Sequence, residues 1–193
     1  MAFLIHTFAL ALLSVLALSS EVNPRCEELI KPLDMEGNYS SIMGKWFLVE
    51  GTSEGIVGMI IQTMETLWME LSPGSNNKTI HMKGAYRLDH SCRFESMDLP
   101  YNGTLHQTGI DQKVHYYLLP SCPTCLIAYY ADYYQDTTSR VLLLFSRERG
   151  APEATRDLYR KQAGCLKFPP LITTYNVDSE LCPLENEAEA KEN

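Results

Sequence analysis

The sequence predicts an all-β domain, an antiparallel sandwich or barrel of eight strands with one flanking α-helix near the C-terminus. Short β-prone runs recur at spacings near ten residues, each followed by turn-forming residues. Two of these runs, 125–134 and 141–145, are apolar on both faces, whereas an antiparallel sheet exposed on one side alternates. One helix signal follows the last run. With 193 residues, 45% of them hydrophobic, the chain can bury a core and is short enough for a single domain. Its formal charge of -8 opposes a nucleic-acid backbone or an anionic membrane surface as the main partner. Gly (11) and Pro (10) stand near average usage, so neither a collagen-like nor a disordered chain is indicated.

In chain order, residues 1–20 carry an apolar run from Phe8 to Leu18. That is the length of a signal-peptide core and shorter than the ~20 residues a membrane span needs. Ala17 and Ser19 satisfy the small-residue rule, so cleavage is expected after Ser19 or Ser20, with residues 21–184 forming one secreted, extracellular domain. No later stretch is long and apolar enough to anchor the chain in a membrane. Strands are predicted at 45–50, 60–71, 79–88, 92–99, 103–108, 113–119, 125–134 and 139–147. Between them lie 72–77, 89–91, 100–103, 109–111, 120–123 and 135–138, rich in the Pro, Gly, Asn, Asp and Ser that tight reversals use. A meander of neighbours is the simplest topology. Pro152 and Glu153 then open a helix whose narrow apolar face is Leu158, Ala163 and Cys165, stopped by Gly164 and Pro169-Pro170. Residues 185–193 hold four Glu against one Lys and read as an acidic disordered tail.

In an oxidising compartment the six cysteines read as disulfides, for which fifteen pairings exist. Three sequons, at Asn38, Asn77 and Asn102, are glycosylation candidates on turn-like segments. Strands apolar on both faces fit an eight-stranded barrel lined for a small ligand, and they fit a filled core equally well. The eleven tyrosines favour a ligand site slightly, because Tyr joins an apolar body to an orienting hydroxyl. Gly51-Thr-Ser53-Glu-Gly55 matches a nucleophile motif in letters only. The enzymes that use it need a strand-to-helix turn in a large parallel sheet, so a loop at the barrel mouth is expected instead. His81, His90, His106 and His115 share no metal-ligand spacing, and no metal or cofactor is implied.

Gly44-Lys45-Trp46 at the start of the first strand and Arg147 at the end of the eighth resemble the lipocalin pattern, in which a tryptophan closes the barrel floor beneath an arginine. Cys26-Glu-Glu-Leu-Ile-Lys-Pro, Ile42-Met-Gly-Lys-Trp-Phe, Asp157-Leu-Tyr, Cys165-Leu and Cys182-Pro-Leu-Glu resemble, in order and spacing, the alpha-1-acid glycoprotein (orosomucoid) branch. Fish plasma lipocalins that bind organotin compounds or the guanidinium toxins saxitoxin and tetrodotoxin are similar too. Ser121-Cys-Pro and Leu144-Phe-Ser-Arg resemble apolipoprotein M.

The resemblance implies an eight-stranded up-and-down antiparallel lipocalin barrel with one C-terminal flanking helix. It implies disulfides Cys26–Cys165 and Cys92–Cys182; Cys122 and Cys125 remain, and Pro123 in a turn can bring them close enough to bridge. A redox dithiol or half a zinc site is the alternative for that pair. The Thr-Asp-Tyr motif common in lipocalins is absent, since Asp132-Tyr133 lies too late. With Arg147 at the floor beside Trp46, alternation makes Val141, Leu143 and Phe145 cavity wall and turns Leu142 and Leu144 to the helix. Tyr129, with Ile127 and Ala131, is the expected wall of the seventh strand, and His106, His115 and Tyr117 are the polar candidates of the fifth and sixth. Trp68 fits either wall or outer packing. Ordinary core packing is the alternative at each position.

The implied function is a secreted, monomeric, non-enzymatic plasma carrier of a small hydrophobic or amphipathic ligand of steroid, drug, xenobiotic or toxin type. The alternatives are a lipoprotein-associated lysolipid carrier and an acute-phase immunomodulatory glycoprotein. A barrel enzyme built on a cysteine thiolate would need an unpaired cysteine.

Overall fold

The computed structural model describes residues 25–34, 39–55, 57–76, 78–101, 105–109, 112–134, 137–176 and 178–183. The expected leader, the acidic tail and the three sequon asparagines Asn38, Asn77 and Asn102 lie outside the described residues. A short helix α1 (Cys26–Leu29) and a 3-10 turn (Ser40–Ile42) precede strand β1 (Gly44–Glu54) and helix α2 (Val57–Thr63). The meander continues through β2 (Met64–Pro73), β3 (Thr79–Leu88), β4 (Ser91–Pro100), β5 (Leu105–Gly109), β6 (Gln112–Leu119), β7 (Cys125–Tyr134) and β8 (Thr137–Ser146). Helix α3 (Glu153–Cys165) and a two-residue strand β9 (Thr173–Thr174) complete it.

The strands form one antiparallel sheet in the order β4-β3-β2-β1-β8-β7-β6-β5, with β9 added to β1. The sheet curls until its two ends approach, and among the described residues the isolated bridge Tyr101–Leu105 links them at the end where β1 starts and β8 finishes. That end is the floor. The eight expected strands and the trailing helix are all present.

Two expectations near the mouth are corrected. The β-prone run that opens the expected second strand at Ile60 is helical (α2), and β2 begins only at Met64. Gly55 turns the chain there at φ +83°, where an added Cβ would meet the Ser139 side chain at 2.5 Å. Ile61 is then pinned inside, because Tyr175 Oη donates to its carbonyl at 2.5 Å. Tertiary contact overrides β propensity here. The second correction concerns residues 51–55, expected as a loop: β1 runs on through Glu54, paired with β8 and β9.

A bulge in β1 between Leu48 and Glu50 re-aims the strand. Val49 packs in the layer beneath α3, and Glu50, fully buried, accepts from Arg156 at 2.8 Å and Arg160 at 3.3 Å of that helix. The buried face of α3 is Thr155, Tyr159, Gln162 and Ala163, one stripe at helical spacing. Leu158 and Cys165, expected on that face, are only half-buried. Polar anchors select the observed stripe: Tyr159 Oη donates to the Leu142 carbonyl at 2.8 Å, and Gln162 Nε2 donates to the carbonyls of Leu29 and Pro120, each at 2.9 Å. Disulfides Cys26–Cys165, Cys92–Cys182 and Cys122–Cys125 join Cα atoms 5.3, 5.6 and 4.8 Å apart, and no cysteine is free.

Candidate functional site

The barrel floor is built from the Gly44-Lys45-Trp46 segment and Arg147. Gly44 sits at φ +96°, where a Cβ would stand 3.0 Å from the Arg147 guanidinium. Trp46 is buried and donates from its indole N–H to the Ile42 carbonyl at 2.8 Å. The Arg147 guanidinium lies 3.6 Å over the indole centroid and donates to the carbonyls of Lys45 (3.1 Å), Ser41 (3.2 Å) and Met43 (2.5 Å). One cation thereby covers an aromatic face and satisfies three carbonyls of the entering chain.

Above this floor the sheet encloses a cavity of about 280 Å³. Its wall is mostly apolar. Strand β2 contributes Met64, Leu67, Met69 and Leu71; β3 contributes Met82, Gly84 and Tyr86; β4 contributes Glu95 and Leu99. From the other side come Leu105, then Tyr116 and Leu118 of β6, Leu126, Ala128 and Tyr130 of β7, and Leu143 and Phe145 of β8. Ile60 and Ile61 of α2 reach in near the mouth, and Ile42 closes the bottom.

Polar character is confined to a few groups. Desolvation by the surrounding wall raises the pKa of the Glu95 carboxyl from its ordinary value although the side chain remains exposed. The Tyr116 hydroxyl is pushed up to about 12, first by burial and then by the negative charge of Glu95 and Asp132. Tyr130 is pushed up further by burial, with Tyr116, Asp132 and Glu95 adding to it. Both tyrosines therefore stay neutral donors at any physiological pH.

Of the expected wall residues, Leu143 and Phe145 line the cavity, and Val141 belongs to the same inner cluster beside it. Leu142 and Leu144 pack in the outer layer under α3. On β7 the expected phase is inverted. Ile127 and Tyr129 belong to the outer layer, Tyr129 edge-on to Phe168 with centroids 6.3 Å apart, and Ala131 pairs with the outward Arg140. Tyr117 and His115 continue this outer aromatic row, Tyr117 lying 5.9 Å from Tyr129 and His115 6.4 Å from Tyr117. The side chain of His106 is outside the described residues; its backbone pairs with His115. Trp68 does both: with Ala85 it borders the cavity, and it packs in the outer cluster with Cys182, donating to the Cys182 carbonyl at 2.9 Å.

The reason for the inversion lies in strand pairing. Directly opposed residues share a face, and Tyr129 opposes Leu142 while Ile127 opposes Leu144. The β7–β8 reversal spans two residues between Tyr134 and Thr137, and this register, like the one a four-residue turn would give, sets even-numbered positions of β7 on the same side as odd-numbered positions of β8. The inverted wall came from the family resemblance and not from the turn. Leu126, Ala128 and Tyr130, and through them Tyr116 and Leu118, are the inward set that sequence reasoning missed. Alternation in 67–71 and 80–86 was available to identify Leu67, Met69, Leu71, Met82 and Tyr86.

No protein-family profile matches this sequence, and no curated protein is similar to it in sequence. Solved structures are similar in shape. The siderocalin Q83, described as having a dual ligand binding mode, aligns with a TM-score of 0.64 at 18% identity, over 76% of this chain and 95% of its own. A dog lipocalin allergen aligns at 0.62 with 15% identity, over 75% and 99%. Lipocalin 12 from rat epididymis aligns at 0.63 with 10% identity, over 74% and 87%. The chain has the lipocalin fold.

Proposed function

We propose that this chain of lipocalin fold is a secreted lipocalin that carries a small hydrophobic or amphipathic ligand in its barrel cavity. The observation that supports this reading is the cavity itself: about 280 Å³ of apolar-walled space above a floor sealed by Trp46 and Arg147. Ligand pockets run from about 300 to 1,000 Å³, so this one suits a single compact molecule of steroid, drug or xenobiotic size. Leu143 and Phe145, joined by Tyr116, Tyr130 and the three cavity methionines, are the contact residues we assign to it. Methionine suits this role because its flexible thioether adapts to ligand shape. Export is supported by the apolar leader and by three disulfides, which persist in oxidising compartments. We assign glycans to Asn38, Asn77 and Asn102, and circulation as a monomeric plasma protein. A thiolate enzyme in the barrel lacks its nucleophile, since all six cysteines are paired. The alpha-1-acid glycoprotein branch is the kinship we favour, with a lysolipid carrier of apolipoprotein M type as the alternative.

Titration of the secreted protein with neutral N-phenyl-1-naphthylamine should show one saturable site per chain and quench Trp46 emission. Absence of saturable binding would overturn the carrier reading. Mass analysis of the molecule extracted from native protein identifies the cargo and separates a lysolipid from a compact ligand.

A further inference from the structure

Helix α2 stands at the cavity mouth with Ile60 and Ile61 in the lining, yet its seven residues fall short of the ~12 to 15 that hold an isolated helix in water. It must be held from outside. The last four carbonyls of a helix have no partner within it, and in α2 one of these belongs to Ile61. Tyr175 supplies the donor, its hydroxyl reaching that carbonyl at 2.5 Å. Among the described residues no other hydrogen bond joins α2 to a separate element.

The two partners are held very differently. Tyr175 is buried on an anchored segment: the Leu171 carbonyl accepts from the Thr52 hydroxyl at 2.8 Å, Thr173 and Thr174 pair with Gly51 and Glu50 of β1, and the Tyr175 N–H donates to the Val49 carbonyl at 3.0 Å. Burial pushes the phenol above its ordinary pKa, so it stays a donor across the neutral range. In α2, by contrast, Met59 and Ile60 are 65% and 45% exposed. Tyr175 is the fixed part and α2 the movable one. Gly51 forms their seat, because a Cβ there would stand 3.2 Å from the Ile61 side chain and 3.3 Å from the Tyr175 hydroxyl. The wall needs closing at this place: β1 and β2 pair only from Gly44 to Phe47 and from Trp68 to Leu71, and beyond that β1 pairs with β8 and β9 while β2 stays with β3. Tyr175 borders that parting together with Leu48 and Leu67, and Leu67 also lines the cavity.

We propose that Tyr175 is the latch of a lid: α2 covers the cavity while its Ile61 carbonyl is held, and lifts to pass the ligand when that bond opens. Tyr175 lies outside the lining and acts through α2, as a positioning residue. The bond is intact in the closed protein whether empty or filled, so its loss eases entry and exit alike and leaves affinity unchanged. This rests on the cavity being the ligand site.

Stopped-flow mixing of the full-length secreted protein with N-phenyl-1-naphthylamine tests it. Tyr175→Phe keeps the ring and removes the donor, so entry and exit rates should each rise about fivefold while the Kd stays within about twofold. Unchanged rates overturn the latch, and so does a changed Kd without parallel acceleration, which would make Tyr175 a wall contact. Amide hydrogen exchange on the unmodified protein gives a second measurement that needs no variant: residues 59–63 should open at least as fast as the probe leaves, because the lid must lift first. If α2 opens more slowly than the probe leaves, the latch is overturned while the carrier reading stands. Absence of saturable probe binding overturns both.

Discussion

The two faces of the β7–β8 hairpin are made from similar residues and do different things. Outward, Ile127, Leu142 and Leu144 are completely buried under α3, where Tyr159, equally buried, ties the helix to the Leu142 carbonyl. Inward, Ala128, Leu143 and Phe145 face a cavity that their own side chains do not fill. A helix can be pressed onto a sheet until no space remains, whereas a sheet curled on itself around eight strands leaves space its side chains must fill or yield to a ligand. The outer layer therefore carries stability, and the inner layer has room to carry function.

The sharpest break of that contrast is Leu144→Ala. It should lower stability by about 3 to 5 kcal/mol, because the rigid layer under α3 cannot collapse around the void, and leave affinity per folded molecule unchanged. Denaturant midpoints and probe titration measure the two quantities separately; lost affinity with unchanged stability would reverse the assignment of faces.

At the floor, where the two layers meet, Arg147→Ala removes the cover of Trp46 and three hydrogen bonds to the entering chain. A loss of about 1 to 3 kcal/mol is expected in thermal or denaturant unfolding, and an unchanged midpoint would deny the floor its structural role.

Paired aromatic substitutions sharpen the contrast further. Tyr130→Ala should weaken probe binding about tenfold, the ~1.4 kcal/mol that partial loss of one ring contact supplies, while Tyr129→Ala on the outer face should change it less than twofold. The reverse result would restore the β7 phase that the family resemblance suggests.

Smaller effects come from the short disulfide and from Glu95. The Cys122–Cys125 bridge spans three positions in sequence against 139 for Cys26–Cys165, so it restricts the unfolded chain far less. The double variant Cys122→Ser, Cys125→Ser should be secreted near normally, whereas Cys165→Ser should be retained; equal retention would show the short bridge to be essential. For Glu95, a folded-state pKa raised by burial means that folding disfavours the ionised form. That acid destabilises the protein as pH rises through its raised value, so Glu95→Gln should melt slightly higher than the parent at pH 7. The difference should vanish in acid, where the parent side chain is neutral as well. A constant difference across pH would assign the change to packing instead.

The strand count and the trailing helix were legible in the sequence because they rest on short-range signals, namely turn residues, alternation and a proline at a helix start, whereas the floor pair Trp46 and Arg147 was legible only through the resemblance to the lipocalin pattern. The same holds within β8, where one anchored residue sets the phase of every other. The phase of β7 was misassigned because its wall was taken from the family resemblance, whereas pairing with β8 across either a two- or a four-residue turn sets Leu126, Ala128 and Tyr130 on the side of Leu143 and Phe145. Helix α2 escaped because Ile60 and Ile61 have strand propensity, and the contacts of Ile61 with Gly51 and Tyr175, from segments distant in sequence, help hold them helical. Glu95 carries no local sequence signal that sets it apart from the other acids. Its strand could be predicted from local pattern, but which of its faces turns inward was decided only when the sheet curled and brought β4 round to face β6 and β7.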